Sequence, residues 1–190
     1  MSIELKGNWK KGFAYDVHTL SSIYMGCDER GHEQWDTTRT EMGELIYQLK
    51  YQNNLAVIDK IIELLNIYKG LNTLDAIIPI PPSKQREIQP VYEIAKALSK
   101  KINVPLQPVL NKHPIEQELK NIENPIERET LLYKSLFLHQ DVMLSDKNVL
   151  LLDDLYRSGS TLRIATDILY KQAKVKNVFV LTMTKTRSKT

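Results

Sequence analysis

Asn148–Leu169 reads NVLLLDDLYRSGSTLRIATDIL. An almost unbroken apolar run ends in two carboxylates, Asp153 and Asp154, and a short turn, Arg157-Ser158-Gly159-Ser160-Thr161, leads into a segment with Leu162, Ala165, Ile168 and Leu169 at helical spacing. A continuous apolar strand is the pattern of a sheet covered on both faces, as in a parallel sheet between helices. The turn places hydroxyls, a glycine and free helix-start amides together, the ingredients of an anion site. Adjacent carboxylates beside such a cradle repel each other unless something is bound or solvated there. A capped strand-to-helix turn, with Ser160 or Thr161 as N-cap, explains the hydroxyls alone. It does not explain the acids. A ligand carrying both a diol and a phosphate uses both halves.

Outward from this stretch, strands and helices alternate. DAIIPIPP (75–82) is a buried strand stopped by proline, and Val91, Ile94, Ala95 and Leu98 stripe the helix after it. VPLQPVL (104–110) reads as a strand, SLFLH (135–139) as another, and NVFVLTM (177–183) as the last. Between them, NKHPIEQELKNIENPIERETL (111–131) is charged and broken by proline, a long loop with a helical portion. Alternation from Asp75 onward predicts an α/β fold with a mainly parallel sheet, whose ligands bind beyond the carboxyl ends of the strands. Gly12–Thr37 carries a strand pattern with turn signals at Gly26 and at Asp28–Gly31, predicting a hairpin. Helices follow from Thr40 to about Lys50 and over Ile58–Leu65, with Gly70 and Asn72 ending the second. The expected division is residues 1–72 as an N-terminal β-hairpin and helical extension packed on a core of residues 73–190.

Composition sets outer limits. The chain has 190 residues, 42% hydrophobic and 26% charged, which is ordinary for a globular protein of one domain. A formal charge of +3 is too small to call nucleic-acid binding on electrostatics alone. The single cysteine, Cys27, excludes an intramolecular disulfide and fits a reducing compartment. No signal-peptide core or membrane-length apolar run is present, so the expected location is the cytoplasm, without membrane contact. The spacing of His18, Cys27 and His32 fits no common zinc pattern. Neither a P-loop nor a dinucleotide fingerprint occurs. Lys50 and Tyr51 are expected to end their helix, with Lys50 favoured by the helix dipole, and a role at the active-site edge is the lesser reading.

VLLLDDLYRSGST resembles the 5-phosphoribosyl-1-pyrophosphate (PRPP) motif of type I phosphoribosyltransferases. The resemblance implies that Asp153 and Asp154 take the ribose hydroxyls and that Ser158, Gly159, Ser160 and Thr161, with Arg157, hold the 5′-phosphate. DAIIPIPPSKQREIQPVYEIAKAL (75–98), GELIYQLKYQNN (43–54) and EQELKNIENPIER (116–128) are similar to segments of the ComF/GntX-like branch of that family. By that likeness Pro82, Ser83 and Lys84 border the pyrophosphate, with Arg86 nearby. The charged segment becomes a hood whose Lys112, Lys120 and Arg128 face developing charge, and Gln117 belongs to its Q-x-x-L. Many ComF-type proteins carry a cysteine zinc finger, which one cysteine cannot build.

The implied chemistry is transfer of phosphoribosyl to an unknown nitrogen base or amine. Mg²⁺ would travel with PRPP, so that Asp153 and Asp154 reach it only indirectly. A homodimer is a possible state. Arg157 stays protonated and cannot serve as the general base that 6-oxopurine enzymes place there. Two other readings stay open. One is a non-catalytic PRPP or nucleotide sensor, or an accessory to DNA uptake or processing with DNA or DNA-processing partners. The other is a receiver- or phosphatase-like domain using Asp153 with a metal.

Overall fold

The computed structural model describes residues 2–84, 86–113, 124–139 and 142–187. In chain order the elements are β1 (Ile3–Glu4), β2 (Lys11–Val17), β3 (Thr19–Cys27), β4 (Glu33–Arg39), α1 (Glu41–Tyr51), α2 (Ile58–Leu64) and β5 (Ala76–Pro79). There follow α3 (Pro90–Ile102), β6 (Leu110–Lys112), α4 (Pro125–Ser135), β7 (Leu136–Leu138), β8 (Asn148–Tyr156), α5 (Ser160–Lys171) and β9 (Asn177–Lys185).

The central sheet runs β1-β2-β9-β8-β5, with β2, β9, β8 and β5 mutually parallel and β1 antiparallel at one edge. The architecture is therefore α/β with a mainly parallel sheet flanked by helices. Strand β8 shows why its sequence is so apolar. Val149 and Leu151 enter a core with α5 residues Leu162, Ala165, Ile168 and Leu169, whereas Leu150 and Leu152 enter the opposite core with Ile46, Ile61, Ile94 and Leu98. Alternate side chains leave a strand on opposite faces, so a strand with helices on both sides has no polar positions to give.

The helices start and stop where their sequences direct. Thr40 caps α1: its Oγ1 accepts from the Gly43 amide at 3.0 Å and donates to the Val17 carbonyl at 2.7 Å. Pro90 occupies the first turn of α3, where no amide hydrogen is missed, and Asn103 closes that helix at φ +55°.

Two expectations change. VPLQPVL is not one strand: it makes a single bridge, Leu106 beside Ile77, before β6 begins at Leu110. Pro105 and Pro108 lack amide hydrogens, so a ladder cannot run through them. The predicted hairpin exists as β3 and β4, a separate two-stranded sheet. Strand β2, though it precedes residue 73, is hydrogen-bonded to β9 within the central sheet.

Candidate active site

Register brings the two marked loops together. Pro79 pairs with Leu152, and the Ile80 amide donates to the Leu152 carbonyl at 2.9 Å. Strand β5 therefore ends beside Leu152, where β8 runs on through the two acids to Tyr156, and the Pro81–Gln89 loop and the Arg157–Gly159 turn follow at the same edge. Between them opens a cavity of about 630 Å³, within the range of small-molecule sites. Its walls include Pro82, Ser83 and Lys84 from one loop, Asp153 and Asp154 from β8, and every residue from Arg157 to Thr161.

Gly159 makes the turn possible. It sits at φ +77° as the N-cap of α5, a conformation side chains rarely take, and a Cβ there would lie 2.7 Å from the Tyr156 ring. A glycine N-cap offers no side-chain acceptor; the Ser160 amide donates instead to Ser158 Oγ at 3.4 Å, and this first turn of α5 lines the cavity. The hydroxyls are pre-arranged: Ser158 Oγ lies 3.1 Å from Ser160 Oγ, and Arg163 Nη2 donates to the Ser158 carbonyl at 3.0 Å. Arg163 is a member of the site that the sequence did not single out. Only its position one turn into α5 gives it away.

The two acids differ in surroundings. Asp153 accepts the Asp154 amide at 2.9 Å, and burial, helped by the neighbouring Asp154 charge, pushes its carboxyl up to about 8. Asp154 instead accepts Lys50 Nζ at 2.7 Å. Its backbone carbonyl accepts Thr184 Oγ1 at 3.2 Å, and Thr184 in turn lies 3.1 Å from His18 Nδ1. Burial lowers the His18 imidazole, and Arg39 and Lys50 lower it further.

Lys50 was expected chiefly to finish a helix. It does close α1, and it also lines the cavity together with Tyr51. Lys112 donates to Ser83 Oγ at 2.8 Å, linking β6 to the 81–89 loop. Burial lowers its ammonium, an effect that the Asp153 charge opposes. Gln89 Nε2 fastens that loop by donating to the Lys84 carbonyl at 3.2 Å. Arg128 lies in α4, but its side chain falls outside the described residues, as do Gln117 and Lys120.

The donor set bears on metal. No group of three or more His, Cys, Asp or Glu residues is placed to hold an ion among the described residues, and lysine ammoniums stand by both acids. That suits a cation carried in on a ligand's phosphates better than one resident on the protein. No helix among the described residues is long and apolar enough to cross a membrane.

No family model and no curated protein matches the chain. Among solved structures it is similar to an adenine phosphoribosyltransferase from Thermoanaerobacter pseudethanolicus, at 14% identity over 88% of this chain and 95% of that one, with a TM-score of 0.45. A purine phosphoribosyltransferase from Pyrococcus horikoshii is 18% identical over 70% of this chain and 81% of its own, at a TM-score of 0.42. An orotate phosphoribosyltransferase from Aeropyrum pernix is 12% identical over 86% and 77% respectively, also at 0.42.

Proposed function

We propose that this chain binds PRPP and transfers its phosphoribosyl group to a nitrogen acceptor, releasing pyrophosphate. One observation carries the reading: a single cavity joins a pair of carboxylates to a helix N-terminus whose N-cap is glycine, at the carboxyl edge of a parallel sheet. The carboxylates accept hydrogen bonds from the ribose 2′ and 3′ hydroxyls. The amides of α5, with Ser158, Gly159, Ser160 and Thr161, cradle the 5′-phosphate, and Arg157 adds charge at the rim. Pro82, Ser83 and Lys84 border the pyrophosphate, and Lys112 reaches it beside Ser83. Magnesium brought in with PRPP would supply neutralisation of the leaving group's charge, the acids Asp153 and Asp154 meeting it only through the ligand. The chain's own contribution is to orient the ribose, exclude water and stabilise departing charge, with no covalent intermediate on the protein.

The acceptor remains a nitrogen base or amine. Arg157, where 6-oxopurine enzymes keep an acid, favours a reading outside hypoxanthine–guanine salvage. It also favours the second reading, a PRPP-binding accessory protein without transferase turnover.

Calorimetry with PRPP and Mg²⁺ tests the first step: the wild type binds, and D153N/D154N does not. A wild type that binds no PRPP sinks both readings together. A pyrophosphate-release screen over bases and amines then separates them, since turnover with any acceptor supports the transferase. Binding without turnover supports the accessory protein.

A further inference from the structure

The Lys50–Asp154 contact exceeds what the helix requires. A cation in the last turn of α1 satisfies the dipole from solvent. Here the chain instead spans 104 residues of sequence to seat that ammonium 2.7 Å from a carboxylate, with the two side chains only 21% and 14% exposed. The seat is firmly built. Leu49, the neighbouring residue, is fully buried, and the Tyr47 and Tyr51 rings, one turn apart, pack tilted with centroids 5.1 Å apart. Arg39 lies over the Tyr47 ring at 3.8 Å. Just past the helix, Asn53 Nδ2 donates to Glu87 Oε2 at 3.1 Å, tying this end of α1 to the loop on the far side of the cavity.

The chemistry of a diol explains why a lysine belongs there. An ionised carboxylate only accepts hydrogen bonds, so Asp154, paired with Lys50, can satisfy the hydroxyl proton of a sugar but not its oxygen lone pairs. An ammonium has three donors, and among the described residues Lys50 Nζ uses one, on Asp154. Lys50 also lines the cavity.

We infer that Lys50 is a positioning and specificity residue of this site: it holds Asp154 and donates to the hydroxyl that Asp154 grips. Lys50 thereby balances the Asp154 carboxylate within the protein. The ribose 5-phosphate half of the ligand therefore binds without a divalent cation, which is needed only once a pyrophosphate is attached. This rests on the PRPP reading above and assigns the sugar-recognising cation within it.

The test is calorimetry on the full chain in the presence of chelator, with three probes: ribose 5-phosphate, 2-deoxyribose 5-phosphate and inorganic phosphate. The wild type is expected to bind ribose 5-phosphate and to prefer it over the deoxy sugar. K50M loses roughly 10- to 100-fold in ribose 5-phosphate affinity, the range of a hydrogen bond to a charged group. It also loses the ribose preference, while its affinity for inorganic phosphate is unchanged. K50R, which keeps the charge, recovers the preference. Undiminished sugar binding in K50M overturns the inference, and so does a K50R that fails to recover the preference. A K50M that loses phosphate affinity in parallel also overturns it, since the lysine would then be supporting the fold of the loop. A wild type that needs Mg²⁺ for ribose 5-phosphate overturns it too, leaving the PRPP reading intact. A wild type that binds neither this sugar nor PRPP with Mg²⁺ instead removes the reading beneath it.

Discussion

Replacing Gly159 by alanine probes the turn on which the phosphate cradle depends. Two costs add. At φ +77° an alanine pays the left-handed penalty, about 1–2 kcal/mol. Its Cβ would also fall 2.7 Å from Cε2 and the hydroxyl oxygen of Tyr156, so the ring must move. Tyr156 packs against the core shared by β8 and α5, and overpacking of this kind costs about 1–3 kcal/mol. The expected loss is therefore about 2–5 kcal/mol, read as a fall in urea midpoint at unchanged slope. A double-mutant cycle with Tyr156→Ala separates the parts: the steric share disappears in the double variant, and the left-handed penalty stays. A G159A protein within about 0.5 kcal/mol of wild type, or a cycle with no coupling, would refute this account of the turn.

Three further outcomes are expected. The Asp153 carboxyl is raised on folding, so the unfolded chain gives up its proton first as pH rises; stability should fall between about pH 4 and pH 8 and level off above. D153N removes that contribution, so its unfolding free energy should gain on the wild type's across this window by at most about 1.4 kcal/mol per pH unit, and a constant difference would contradict the assignment. Thr40→Ala loses both the α1 cap and the bond to the Val17 carbonyl and should cost about 1–2 kcal/mol in chemical denaturation. Lys112→Met should weaken PRPP binding about tenfold or more by calorimetry while leaving ribose 5-phosphate affinity nearly unchanged, because its ammonium sits on Ser83 at the pyrophosphate side.

What could be read from the sequence followed from short-range periodicity. The apolar run of β8 and the stripes of α3 and α5 report burial on each residue's own element, and the structure places them as expected. The acids and the glycine turn were legible for the same reason, being contiguous in the chain. Lys50 was not. A lysine in a last turn already has a sufficient local explanation, and its partner lies 104 residues away. Lys11–Val17 was equally ambiguous, because KGFAYDV has the same pattern whether it pairs with its hairpin neighbour or with β9. Arg163 left no signal beyond its spacing from Ser158.

The position of β9 between β2 and β8 has a consequence for the order in which the molecule is made. Strand β9 comes later in the chain than every strand it joins, so β2 is made long before their shared neighbour exists and β8 shortly before it. Until Asn177–Lys185 emerges, the nascent chain carries two unmatched strand edges, one of them the apolar flank of β8, and such edges invite pairing with other chains. Arrival of one strand closes both at once. The amides of β2 should thus gain protection from hydrogen exchange together with those of β8, in one late step, despite being synthesised about 140 residues earlier.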